Sequence, residues 1–303
     1  MDKKALFAHW GIDEFEISDG IVIAGSPNRS LERVVLKCGS GEMFIAEGFS
    51  AGKKSKQIKQ NTFLEHLRKE NLEGIYPFLR SCDGGHGVER NGLFWQLRPY
   101  LPMDELPRAT LGEMEEFGTL WGKFLLDFKK ASSSYNFSNL PNERFFFSSY
   151  IPLLRALMIH QMPQILSKFD ALVRKMSPFF EIEHTLPCQI SHGDFHPGNI
   201  LVSAGKISAV IDWEFCGLKC AGYDPALLLG CLGMDDPDWL GGKAAEIFRQ
   251  LLFEADFMPR ISWEHFTSLM AAIRFGWLGE WVDMRDRELA ERELEYIEML
   301  SDF

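Results

Sequence analysis

The chain has 303 residues, 46% of them hydrophobic and 25% charged, with a formal net charge of −11. This is ordinary globular composition, and the length suits two subdomains sharing a cleft better than one core. The acidic balance argues against a nucleic-acid partner, and the longest apolar stretch, 226–232, is too short to cross a bilayer.

The N-terminal thirteen residues hold two lysines and only the short apolar run 5–8, so no signal peptide is expected. Residues 15–49 read as short strands, 15–17, 21–24, 31–37 and 43–49, separated by Asp19-Gly20, Ser26-Pro27-Asn28 and Gly39-Ser40-Gly41. A basic helix is expected over 53–70, marked by Ile58, Phe63 and Leu67. A strand over 92–97 then runs into Arg98-Pro99-Tyr100-Leu101-Pro102, where the prolines end it and stiffen a connector.

Beyond that connector the periodicity turns helical. Thr110 and Glu113 have the spacing of a capping box, ahead of Leu111, Met114, Phe117, Trp121, Phe124, Leu125 and Phe128 on one face. Residues 150–176 repeat the pattern, with Pro163 placed to break it. After a short β-rich passage the chain is again helical to about residue 300. A small β-rich lobe, residues 1–98, and a larger helical lobe, residues 99–303, are the expected division. The six cysteines (Cys38, Cys82, Cys188, Cys216, Cys220, Cys231) include no CxxC pair, so free thiols and a cytoplasmic location are expected.

The chemistry concentrates in 192–214. His192-Gly193-Asp194-Phe195-His196-Pro197-Gly198-Asn199 leads into the apolar run 200–202, a turn at 203–206 and the strand 207–211, which ends at Asp212-Trp213-Glu214. Two strands around Ala204-Gly205 read as a hairpin, which brings Asp212 back near Asn199. Asp194 sits on the loop feeding the same hairpin. Phosphoryl transfer needs such parts: a carboxylate to orient the hydroxyl and take its proton, and hard oxygen ligands for a metal that bridges phosphates. The His-x-Asp spacing followed by Asn matches a kinase catalytic loop, and Asp212 takes the place of the aspartate opening the DFG triplet. His192, Asp194 and His196 also suit a metallohydrolase, but the other histidines are isolated.

HGDFHPGNIL and VIDWEFCGLKCAGYDPALL resemble the catalytic loop and metal-binding segment of the aminoglycoside phosphotransferase and choline-kinase-like family. The resemblance implies an α+β, protein-kinase-like two-lobed fold with a small antiparallel β-rich N-lobe and a mainly helical C-lobe. It implies ATP and Mg2+ as cofactors and a small-molecule hydroxyl acceptor. Asp194 would be the catalytic base, Asn199 and Asp212 the magnesium ligands, and His192 a brace for the loop. Glu214 and Asp224 would lend structural support. Asp224-Pro225 reads independently as an N-cap with proline at the first helical position.

The family holds its nucleotide between the lobes, so Ser26, Asn28 and Arg29 are candidates for the phosphate loop, and Gln96, Leu97 and Arg98 for the hinge that meets adenine. The departure is on the third strand. The expected phosphate lysine position falls near Glu47, and the following helix offers Lys53, Lys54, Lys56, Lys59 and Gln60 where a glutamate is expected. Either the ion pair is charge-swapped, with one of these lysines reaching the phosphates or pairing with Glu47, or Lys37 is the phosphate lysine.

For the acceptor, Asp235, Asp236, Asp238, Glu280, Trp281 and Asp283 suit a cationic molecule such as an aminoglycoside or choline-like amine, while sugar, homoserine and protein-serine acceptors stay open. A solvated acidic surface explains the carboxylates more simply, and core packing explains Trp277 and Trp281 more cheaply than stacking. The last helix, 286–300, reads as a surface or dimer-contact element, in a monomer or homodimer with no nucleic-acid or membrane partner. The rival class is a pseudokinase that binds nucleotide or scaffolds without turnover; a protein serine/threonine kinase of the same fold is a further alternative.

Overall fold

The computed structural model describes residues 2–21, 23, 30–101, 104 and 106–302. The chain divides into two compact units. The first comprises Met1–Leu106, Lys130–Pro141 and Gly198–Phe215; the second comprises Pro107–Lys129, Asn142–Pro197 and Cys216–Phe303. The division is therefore not the single boundary after residue 98 that the sequence suggests. Long-range bonds recruit the later segments: Val210 N donates to Gly74 O at 2.9 Å, and Tyr135 meets Phe63 with ring centroids 4.8 Å apart.

In the first unit, α1 (Lys3–Phe7), β1 (Phe15–Ile17), β2 (Glu32–Cys38), β3 (Met43–Ser50), α2 (Lys54–Lys69), β4 (Val88–Arg90) and β5 (Leu93–Pro99) follow in order. The strands form an antiparallel sheet ordered β1-β2-β3-β5-β4. Side chains alternate between its faces. One face buries Val34, Leu36, Ala46, Trp95 and Leu97 against Leu6 and Phe7 of α1. The register opposes Arg33 to Glu47, Glu47 to Gln96 and Ile45 to Arg98, so Arg33, Glu47, Gln96 and Arg98 share the other face. Helix α2 buries Phe63, Leu64 and Leu67 and, just before them in the chain, the polar Gln57, Gln60 and Asn61. Asn61 is satisfied on both sides: its Nδ2 donates to Phe78 O at 3.1 Å and its Oδ1 accepts from Phe78 N at 2.7 Å.

The second unit is mainly helical. It contains α3 (Glu115–Ser132, its last three residues in the first unit), α4 (Phe147–Gln161), α5 (Leu166–Ile182), β6 (Cys188–Ser191), β9 (Gly217–Cys220), α6 (Tyr223–Asp235), α7 (Lys243–Glu254), α8 (Arg260–Glu264), α9 (Phe266–Asp283) and α10 (Arg287–Leu300). Strands β6 and β9 pair antiparallel. Between them in the chain, β7 (Ile200–Ser203) and β8 (Lys206–Val210) form the hairpin that belongs to the first unit.

Thr110 and Glu113 do not make the expected capping box. They frame a short 3-10 turn, and α3 begins at Glu115. Pro163 breaks the helical run as expected, opening a 3-10 turn between α4 and α5. The fully buried Glu183 accepts from Phe147 N at 3.0 Å and Ser148 N at 2.5 Å, placing a negative charge at the N-terminus of α4. Arg274 of α9 and Glu293 of α10 form a buried two-bond ion pair, at 2.5 and 2.8 Å. Among the described residues no helix is long and apolar enough to cross a membrane.

Candidate active site

The loop leaving β6 is held by bonds to its backbone amides. Gly193 adopts φ +84°, a left-handed conformation that glycine takes without steric cost. His192 is fully buried and its Nδ1 accepts the amide of Asp194 at 3.1 Å. The ring thus holds the loop rather than presenting itself to a ligand. Phe195, also fully buried, stacks on Phe124 of α3 with centroids 5.5 Å apart and rings 9° from parallel.

Beneath the loop lies Asp224. Its Oδ2 accepts from His192 N at 2.7 Å and its Oδ1 from Gly193 N at 2.8 Å. Burial pushes its carboxyl up to about 6, with the two amides and Lys219 pulling the other way. The sequence suggested an N-cap here. Instead Gly222, at φ +93°, caps α6, and Asp224 stands within the first turn, where its carboxylate turns to the loop. A β-carbon at Gly222 would come within 2.4 Å of Met258 Sδ, so the tight entry requires glycine.

Asp194 is partly exposed, and its Oδ1 lies 3.7 Å from His196 Nε2. Burial lowers the proton affinity of His196, opposed by Asp194 and reinforced by Arg274 and Arg108. The His196 ring stands edge-on to Trp277 of α9 at 5.6 Å, and Trp277 lies beside Trp281 at 6.2 Å.

In the first unit, the β7–β8 hairpin turns at Ala204-Gly205, both with positive φ, the geometry of a two-residue turn that follows the strand twist. Ile200 pairs with Val210, and Ile211 N donates to Asn199 O at 3.0 Å, so Asn199 and Asp212 both stand at the hairpin's base. Both are buried, and Asp212 holds φ +70°, a conformation that carries backbone strain in a residue with a side chain. An amide oxygen and a carboxylate are the hard donors magnesium takes, with phosphates and water completing its shell. Among the described residues no group of three or more His, Cys, Asp or Glu gathers as a metal site, so a ligand set of the metallohydrolase kind is not found there.

Glu47 is held by two arginines. Its Oε1 accepts from Arg33 Nε at 2.9 Å and its Oε2 from Arg98 Nε at 3.0 Å. The sequence offered five lysines for this role. Lys37 is exposed at the far end of β2, opposite Met43; Lys54 pairs with Glu89; Lys56 lies 5.9 Å over the Phe215 ring; Lys53 and Lys59 are exposed. Arg33 escaped the sequence reading. Counting back from the turn at 39–41 through the β2–β3 pairing is the signal that places it opposite Glu47.

Gln96, Leu97 and Arg98 lie inside β5 rather than in a free connector. Leu97 O already accepts from Leu79 N at 2.7 Å, and Tyr100 N continues the ladder to Met43 O. Ser26, Asn28 and Arg29 lie outside the described residues. Glu214 sits in a 3-10 turn directly after Asp212. Of the acidic candidates, Asp235 is exposed at the end of α6, and Asp236 caps the next turn through Asp238 N at 3.0 Å. Glu280 and Asp283 are exposed on α9; burial, and after it Glu280, raises the proton affinity of Tyr150.

A family model described as a phosphotransferase enzyme family matches residues 49–260. No curated protein matches the sequence. Among solved structures, the amicoumacin kinase hAmiN in complex with AMP-PNP, Ca2+ and Ami is similar over 100% of this chain and 96% of its own, with TM-score 0.69 and 14% identity. A thermostable mutant of the aminoglycoside phosphotransferase APH(4)-Ia, in a ternary complex with ADP and hygromycin B, covers 99% and 98% at TM-score 0.63 and 14% identity. The macrolide 2'-phosphotransferase MphH from Brachybacterium faecium covers 97% and 96% at TM-score 0.59 and 14% identity. At these identities the likeness is one of fold: a kinase-like chain with an antiparallel-sheet lobe and a helical lobe.

Proposed function

Since the chain belongs to the phosphotransferase enzyme family, we propose that it moves the γ-phosphate of ATP, with Mg2+, to a hydroxyl group of a small molecule. The observation that carries this reading is the donor pair at the base of one hairpin, Asn199 and Asp212, five and eighteen residues after a carboxylate, Asp194, whose loop is fixed from below. Bound Mg2+ would neutralise charge on the oxygens of the transferred group. The chain's own residues do the rest.

In this reading Asp194 orients the acceptor hydroxyl and takes its proton on a carboxylate oxygen. His192 Nδ1 and the Asp224 carboxylate act on the backbone and so hold Asp194 in place. His196, its proton affinity lowered by burial, favours the neutral form beside Asp194. For the acceptor we favour a hydroxyl compound that also carries an amine. Trp277 beside His196 supplies an aromatic face, and Asp235 and Glu280 supply carboxylates in the same unit. Hygromycin B and amicoumacin, the compounds named with similar structures, are suitable first acceptors to try.

A second reading, nucleotide binding without turnover, is favoured by one feature: Glu47 stands where the family keeps a cation. Both readings are tested by a thermal shift with Mg-ATP followed by phosphate-transfer assays against hydroxyl-bearing amines, sugars and amino acids. Transfer by the parent and none by Asp194→Asn, with the Mg-ATP shift kept in both, is the expected result. A shift without transfer to any acceptor selects the second reading, and no shift with any divalent ion removes both.

A further inference from the structure

A glutamate facing nucleotide phosphates repels them unless cations outnumber it locally. Here they do. Glu47 is 3% exposed and has a guanidinium on each carboxylate oxygen, Arg33 from β2 and Arg98 from β5. Both arginines bond through Nε, and among the described residues the Nη atoms of neither donate a hydrogen bond. A guanidinium has five N–H donors in a planar fork, so each retains the edge suited to a phosphate oxygen.

Arg98 and Glu47 line a cavity of the first unit together with Gln57, Gln60, Tyr76 and Asp212. Two features of that cavity point to a polar ligand. The amide oxygens of Gln57 and Gln60 are buried there without a hydrogen-bond partner in the described structure, and a half-turn of either amide presents a donor instead. Asp212, one of the proposed metal ligands, opens onto the same space. The helix that follows β3 thus offers two neutral amides where a carboxylate would be needed to partner a strand lysine; the carboxylate is on the strand itself.

We propose that Arg98 is the residue that binds the nucleotide's phosphates in this chain and that Glu47 is a positioning residue, its carboxylate fixing the guanidinium by Nε while the Nη edge meets the phosphate. Arg33 supplies the second cation that keeps Glu47 neutralised when Arg98 engages the ligand. The family's strand lysine is thereby replaced by a carboxylate that holds an arginine from the neighbouring strand. This rests on the nucleotide-binding reading above.

The test compares equilibrium binding of Mg-ADP and of adenosine by calorimetry, with no turnover required. Adenosine lacks the phosphates, so its affinity reports folding and the base site, while the ratio of the two affinities reports the phosphate grip. Arg98→Met is expected to weaken Mg-ADP on the order of tenfold to a hundredfold and leave adenosine within about twofold. Arg98→Lys, which keeps the charge, should recover part of the ratio. Glu47→Gln should change the ratio in the parent and leave it unchanged in the Arg98→Met background, a coupling that a merely structural role for Glu47 would not show. An unchanged ratio in Arg98→Met, with the parent binding Mg-ADP, overturns the inference alone. Equal effects of Glu47→Gln in both backgrounds overturn the positioning role. A parent that binds neither ligand overturns the functional reading and this inference with it.

Discussion

The carboxylate of Asp224 accepts the main-chain amide of His192 at 2.7 Å, so a side chain in the first turn of α6 sets the loop that carries Asp194. Hydrogen bonds to a charged acceptor contribute about 1.5–3 kcal/mol each, and Asp224 receives two from consecutive amides. Asp224→Asn keeps the shape but turns one acceptor into a donor facing an amide. We expect kcat to fall about tenfold to a hundredfold with KM for nucleotide nearly unchanged. A variant with wild-type kcat would remove Asp224 from the mechanism.

The same residue predicts a pH dependence in which stability and activity move oppositely. Burial raises the folded-state carboxyl to about 6, above the unfolded value near 3.9. Between those values the folded chain holds a proton that the unfolded chain has released. The contribution of this group to stability is therefore complete below the unfolded value and lost as pH rises through about 6. The loop, in contrast, is held best by the ionised form, so this group's contribution to kcat rises across the same window. Melting temperature and kcat measured from pH 4 to 8 should show both trends, and Asp224→Asn should flatten both.

Arg274 and Glu293 should behave as a pair. Their side chains are 4% and 0% exposed, and the indole of Trp281 also donates to Glu293 at 3.2 Å. Arg274→Met leaves a buried carboxylate with one neutral donor, and we expect a loss of about 3–5 kcal/mol in denaturant unfolding. Adding Glu293→Leu should recover most of it, because the stranded charge, rather than the missing bond, dominates the cost. A double variant as unstable as the single one would refute that account.

At Gly279 the hydroxyl of Tyr150 approaches α9 so closely that a β-carbon would lie 1.9 Å away. Gly279→Ala should therefore destabilise by about 1–3 kcal/mol despite its better helix propensity. Tyr150→Phe in the same chain should restore part of that loss, since it removes the nearest atom. Chemical denaturation of the three variants checks this.

Ala204 offers the opposite case. It occupies φ +50° in the β7–β8 turn, where a side chain costs about 1–2 kcal/mol in the left-handed region. Ala204→Gly should raise stability by roughly 0.5–1 kcal/mol and leave transfer activity alone, because Ala204 contributes its amide, to Asp104 Oδ2 at 2.9 Å, and no side-chain bond. A drop in melting temperature would contradict it.

What was legible in the sequence follows the range of the forces involved. The hairpin from 200 to 211 could be read because two apolar runs flank a short turn, and its pairing is local. The strand pair around 39–41 and the helix after it were readable for the same reason. Where the outcome depended on distant partners the sequence was silent. Asp224 looked like a helix cap because caps are local, whereas its partners are more than thirty residues back. Arg98 looked like part of a hinge because its neighbours are prolines and Tyr100, whereas its guanidinium is paired with a carboxylate 51 positions earlier. Pro152 and Pro178 sit inside α4 and α5, helices that tertiary packing sustains through a residue that lacks an amide hydrogen.

The discontinuity of the first unit has a consequence for how the protein is made. Its sheet is encoded by residue 99, but segments that complete the unit arrive only with 130–141 and 198–215. A ribosome emits a chain from its N-terminus, so the strands that carry Glu47 and Arg98 must wait through roughly a hundred further residues before the hairpin bearing Asp212 emerges to finish their fold. Nascent chains released before that point would expose an unfinished sheet, and protection of its strands from proteolysis should appear abruptly once residue 215 has cleared the exit tunnel rather than gradually with length.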